Sequence, residues 1–305
     1  MVADNRSMSW KRVLLWLMAL LVAPPALAVL LIAMVGWNWL RAPIENMALQ
    51  KTGRVLSIQG DLSLHLAWPA PMVRAKGVAF ANPPWAREKQ MVTADAVEIR
   101  VDLPGLMVRK LELPTVHLFH PTVFLEQDAQ GKRNWLLDRE QQDESARVHI
   151  GQLTLDQGTL GFEDRIHKTH IQATVTTTAP PTEGATGSAP PGVSFKVTGQ
   201  YNGLTVKAQG NGGPVLSLRD ERTPYPLSVD AALGRTHVKA AGTVTGLARL
   251  AAVDMQLAIS GESLEHLYPL LGIPAPATPP YNVRGHLFHS ANSWRYEAFT
   301  GQIGR

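Results

Sequence analysis

Apolar and polar residues alternate with period two along most of this chain, and that alternation restricts it to strands with one dry face. Ile58, Gly60, Leu62, Leu64 and Leu66 interleave with Gln59, Asp61, Ser63 and His65. An extended backbone sends these two sets to opposite sides. Val97, Ile99, Val101 and Leu103 repeat the pattern against Glu98, Arg100 and Asp102, as do Ile171, Ala173 and Val175 against Gln172, Thr174 and Thr176. It returns at 193–197, 204–208 and 255–259. Turn residues separate the runs at Asn82-Pro83-Pro84, 128–131, 156–158, Asn202-Gly203 and Asn211-Gly212-Gly213. Helix signals are short: Pro43 opens one that ends at Gly53, and Ser263 caps another that ends at Gly272. The pattern predicts a mainly β chain, a long twisted antiparallel sheet with a few short helices. Periodicity leaves open whether its apolar face is packed in a sandwich or forms a groove.

Ahead of the sheet, residues 13–40 contain no charged side chain. At about 1.5 Å per helical residue this run reaches about 42 Å, enough to cross a bilayer. Arg6, Lys11 and Arg12 precede it, while Arg41 is soon followed by Glu45. This bias predicts a cytoplasmic flank at 1–12, a single-pass anchor at 13–40 and a body on the far side of the membrane. Trp10, Lys11 and Arg12 at the inner border and Trp37 and Trp39 at the outer one are the candidate membrane-interface anchors, because indole rings prefer the headgroup layer. A cleaved signal peptide is the competing reading, with Ala26-Leu27-Ala28 as its cleavage site. The apolar stretch 29–40 would then begin the mature protein, which favours an uncleaved anchor.

About 265 residues remain, enough for one or two cores. Residues 179–192 are almost wholly Pro, Gly, Ala, Ser and Thr and read as a linker or exposed loop. They divide a first β-unit at 41–178 from a second at 193–305. The chain has no cysteine, which excludes disulfides and thiolate chemistry, and its net charge of +4 comes without a dense basic run outside the N-terminal flank. Nucleic acid is not an expected partner.

The order of several weak signals is more specific than any one of them. Arg41-Ala42-Pro43-Ile44-Glu45 follows the apolar run, then Thr52-Gly53-Arg54, Ile58-Gln59-Gly60-Asp61-Leu62 and Ala81-Asn82-Pro83-Pro84-Trp85. Ala94-Asp95, residues 114–125 and residues 126–135, ending in Asn134-Trp135, come next, followed by residues 158–164, 199–203, Tyr225-Pro226-Leu227 and Pro279-Pro280-Tyr281. This series resembles the AsmA family of Gram-negative envelope proteins, over nearly the whole chain after the anchor. Residues 299–305 resemble the start of an element that family members continue, so the second unit is expected to be truncated. The resemblance implies an inner-membrane anchor with a periplasmic β-body that supports outer-membrane biogenesis. It also implies, as in related bridge-type lipid transfer proteins, phospholipid passage along an apolar groove. Under that reading Leu62, Leu64, Leu66, Val97, Ile99 and Val101 are the candidate lipid-facing residues. The partners are then the inner membrane through 13–40, phospholipids and other envelope proteins. A membrane-anchored scaffold that binds proteins rather than lipids is the alternative.

Nothing in the chain assembles a catalytic site, and neither an enzyme nor a cofactor is expected. The pairs His117/His120, His167/His170 and His286/His289 have H-x-x-H spacing, but residues three apart on a strand point to opposite faces, so no metal site is expected. Glu163-Asp164 reads as a solvated turn, and residues 210–214 as a hairpin turn rather than a phosphate cradle. Asn134-Trp135 reads as edge packing. The loop 82–90, with Trp85, Arg87 and Lys89, reads as exposed, as do Arg74 and Lys76 on their strand.

Overall fold

The computed structural model describes residues 37–107, 111–136, 148–178, 192–215, 222–246, 250–267, 275–290 and 293–304. Trp10, Lys11, Arg12 and the predicted anchor as far as residue 36 lie outside them. Among the described residues no helix is long and apolar enough to cross a membrane. Residues 37–40, the predicted outer end of that segment, hold Trp37 and a 3-10 turn, Asn38–Leu40, that runs directly into helix α1 (Arg41–Thr52). The helix stops where the sequence predicts. Gly53 takes the left-handed conformation (φ 69°) and its N–H donates to the Leu49 carbonyl at 2.8 Å.

The strands follow as β1 (Leu56–Ile58), β2 (Leu62–His65), β3 (Met72–Ala81), β4 (Gln90–Arg100), β5 (Leu111–Phe119), β6 (Thr122–Gln127), β7 (Val148–Leu155) and β8 (Gly158–Asp164). A short helix, α2 (Leu103–Met107), separates β4 from β5. Then come β9 (Thr169–Thr177), β10 (Val193–Tyr201), β11 (Leu204–Gly212), β12 (Tyr225–Leu233), β13 (Thr236–Thr245), β14 (Ala252–Gly261), β15 (Tyr281–Ser290) and β16 (Ser293–Ile303). All belong to one sheet. The Asn202-Gly203 turn between β10 and β11 has both residues at positive φ (47° and 81°), as a two-residue hairpin requires.

The expectation of a purely antiparallel sheet is corrected. From β8 to β16 each strand is antiparallel to the next, but β5 pairs β7 and β6 pairs β8 in parallel, so the sheet is mixed. The cause is the chain path. β5 and β6 run on in one direction across a bend at His120 (φ 43°) and Pro121. β7 and β8 lie beside them in the same sense. Residues 178–192 join β9 to β10, which are themselves paired along eight positions, so the sheet continues across that stretch.

Two further expectations change locally. The alternation at 58–66 is divided between β1 and β2, because at Gly60 the backbone passes so close to β3 that an added Cβ would lie 2.6 Å from the Lys76 Cβ. Leu103 starts α2 instead of ending β4, because Asp102 Oδ2 accepts the Gly105 N–H at 2.7 Å and Pro104 suits a first helical turn.

Candidate functional site

Of the six predicted lipid-facing residues, the register brings four together. Leu62 lies opposite Ala75 and Leu64 opposite Val73; Ala75 and Val73 lie opposite Val97 and Ile99. These continue to Leu118 and Val116 on β5 and to Leu155 and Leu153 on β7. Directly opposed residues share a face, so this is one apolar patch. Val101 follows the end of β4, its N–H bonded to the Pro71 carbonyl at 3.1 Å. Leu66 is separate, past the end of β2 and 80% exposed. Of the predicted outer interface residues, Trp37 is half-buried and Trp39 is 55% exposed.

A second and much longer apolar array was not anticipated. One unbroken row of opposed residues runs Leu56, Phe80, Val92, Val123, Leu160, Ala173, Val197, Ala208, Ala231, Val238, Ile259, Val283 and Gly301. It crosses thirteen strands, a path of about 58 Å at about 4.8 Å per strand. Neighbouring rows on this face are also apolar or small; Val244, Val253 and Met255, packed with Leu227, Ala240 and Leu287, form a buried cluster within it. In the central row Val197, Val238, Ile259 and Val283 remain only half-buried, although they lie in the middle of their strands. Val92 and Val97 differ by an odd number of positions on one continuous strand, so the long row and the predicted patch lie on opposite faces of β4. Each half of β4 alternates; its apolar set changes side between Ala96 and Val97.

Beside the row lies a buried polar clasp. Glu126 and Asn134 are both 0% exposed. The Glu126 N–H donates to Asn134 Oδ1 at 2.9 Å, and Asn134 Nδ2 donates to Asn82 Oδ1 and to the Phe124 carbonyl, both at 2.8 Å. Glu126 accepts the Arg87 N–H at 2.7 Å and an ion pair from Arg165. Arg54 Nη1 and Nη2 donate to the Asn134 and Leu136 carbonyls. The Glu126 carboxylate and the Asn134 side chain are thereby satisfied, and these bonds lock Arg54 just past α1, the 82–90 loop, β6 and the β8–β9 turn together.

Asp164 is buried, which corrects the solvated-turn expectation. Its Oδ1 accepts the Ile166 and His167 N–H groups and its Oδ2 lies 2.6 Å from His167 Nδ1. Burial raises this carboxyl and the His167 and backbone hydrogen bonds lower it further, leaving it below the ordinary carboxylate value. Trp135 packs against Phe162, ring centres 6.1 Å apart. Among the other histidines of the H-x-x-H pairs, His117 lies on Asp156, His120 on Asp95 and His286 on Asp254. His289 stacks on Trp294.

The clasp is built from segments that carried the ordered sequence signals, 52–54, 81–85 and 126–135. The AsmA family profile matches residues 8–299. This chain belongs to the AsmA family. It is 28% identical over 312 residues to AsmA family protein YhjG of Escherichia coli strain K12, an alignment covering 91% of this chain and 46% of that protein. The chain therefore spans about half the length of this relative. The AsmA family match takes in both the clasp and nearly all of the long row. The local trace of the clasp in the sequence is a charged residue, Glu126, at the end of an apolar strand, and it does not name its partners.

Proposed function

We propose that this AsmA family chain is a non-catalytic envelope protein, anchored in the inner membrane through 13–40 with its sheet in the periplasm, that supports outer-membrane biogenesis by carrying phospholipid acyl chains along its apolar face. The observation that supports this reading is the thirteen-strand apolar row, continuous in register yet only half-buried at its centre. A sheet face sealed by a second protein layer would bury Val197, Val238 and Ile259, whereas acyl chains would complete the cover. Glu45 of α1 accepts the Ile58 N–H and Asn38 the Leu62 N–H, which supports the same geometry, because residues 37–40 at the outer end of the proposed anchor are thereby tied to β2 and α1 to β1, where the row begins.

Photocrosslinking in the intact envelope tests it. A photoreactive residue at Ile259 or Val238 should yield phospholipid adducts by mass spectrometry, and one at Gln172, exposed on the polar face, should not. Adducts at Ile259 confined to protein would instead support the scaffold alternative and end the lipid reading.

A further inference from the structure

The face opposite the long row is polar and basic, and none of the features above uses it. Over β9 to β16 it holds an open depression of about 1130 Å³, and a smaller one of about 400 Å³ overlaps it at Lys239, Ala258 and Arg284. These three residues are directly opposed, Lys239 to Ala258 and Ala258 to Arg284. Two long cationic side chains thus flank an alanine that fills none of the space between them, with Cα atoms about 9.6 Å apart at two strand spacings. The adjacent row supplies neutral donors, Ser260 and Asn282, and His237.

Two observations separate this notch from a solvated row of charges. Lys239 has one acidic neighbour, Asp230, at 3.4 Å, whereas Arg284 has no carboxylate partner among the described residues. Secondly, the register of β15 and β16 slips between Arg284 and His286, where Ala298 adopts φ 47°. Such a bulge bends the edge strand and re-aims neighbouring side chains, and Ala298 and Thr300 line the larger depression beside Arg284.

We propose that the notch over Ala258 binds a phosphate group, with Arg284 offering paired N–H donors and Lys239 a point charge. A free phosphate and a phosphoglycerol headgroup share this chemistry. The site does not depend on lipid passage, since it lies on the other face of the sheet.

The test is calorimetric titration of the full chain, in nonionic detergent, with inorganic phosphate and with glycerophosphoglycerol, the deacylated headgroup. Binding of either should weaken at least tenfold in the double variant K239Q/R284Q, with an unchanged circular-dichroism spectrum, and should be unaffected in K207Q, a lysine one row away. Preference for inorganic phosphate assigns a free-anion site; preference for glycerophosphoglycerol assigns a headgroup site. The proposal is overturned if neither probe binds, if the double variant binds as the wild type does, or if K207Q weakens binding equally.

Discussion

At the edge of the sheet nearest α1, side chains take up the backbone donors of the edge strands: Glu45 Oε1 accepts the Ile58 N–H at 2.8 Å and Asn38 Oδ1 the Leu62 N–H at 2.9 Å. Those strands are three and four residues long. At the opposite edge, β16 runs for eleven residues, almost all exposed, with Trp294, Phe299 and Ile303 open to solvent. A long exposed strand presents a row of unpaired backbone groups to any other strand, and a short one whose donors are already bonded does not. Among the described strands the sheet is therefore closed to further pairing at the β1–β2 edge and competent for it at β16. The same asymmetry appears in polar chemistry. The closed end is locked by buried, fully bonded side chains, while the open end carries surface pairs such as Arg295 with Glu297, which contribute little to stability.

The sharpest way to break this comparison is to open the clasp. Asn134→Ala removes one acceptor and two donor bonds in a site with no exposure, taking these partners from the Glu126 N–H, Asn82 Oδ1 and the Phe124 carbonyl. A loss of about 3 kcal/mol is expected, since each unsatisfied buried group costs about 1–3 kcal/mol. Chemical denaturation would measure it. A loss below about 0.5 kcal/mol would mean that the closed end is not held by its polar core.

How legible this was in the sequence depends on range. β9 through β15 could be read from alternation because their apolar and polar sets never change sides, and Asn202-Gly203 marked its own turn. The clasp could not be read, because Arg54 and the Asn134 carbonyl are 80 positions apart and meet only through the pairing of β3, β4 and β6. Nor could the change of side within β4. Val92, Ala94 and Ala96 form one alternating set and Val97, Ile99 and Val101 another, and both are locally regular. Only the continuity of β4 through both sets shows that they face opposite ways. The register places Leu62, Leu64, Val97 and Ile99 of the candidate patch on one face, but the longer array on the other face needed thirteen strands in register to be seen.

The edge cap should give a smaller effect than the clasp. Glu45→Ala leaves one edge N–H, that of Ile58, without its partner, so about 1 kcal/mol is expected. Faster hydrogen exchange at Ile58, with unchanged exchange in β12 and β13, would localise the loss. Uniform acceleration would show that α1 supports the whole sheet instead of its edge.

Asp164 gives a pH handle on the same end. Its carboxyl lies below the ordinary aspartate value in the folded protein. A depressed folded value means that the group stabilises the fold above its unfolded value and loses that contribution as pH falls through the folded one. Denaturation midpoints should therefore fall more steeply below about pH 4 in the wild type than in Asp164→Asn, and converge toward those of the variant in acid. Parallel curves would remove Asp164 from the account.

The open edge predicts the smallest change in stability and a distinct change in association. Ile303 is 55% exposed near the end of β16, so Ile303→Lys removes little buried apolar surface and should shift stability by no more than about 0.5 kcal/mol. A charge on an edge strand nevertheless opposes strand addition. Sedimentation or light scattering should show less self-association than in the wild type, while Glu45→Ala, by uncovering the other edge, should show more. The two edges would then respond in opposite directions to single substitutions. Equal association in all three proteins would mean that the capped and open edges differ in structure but not in their capacity to recruit another strand.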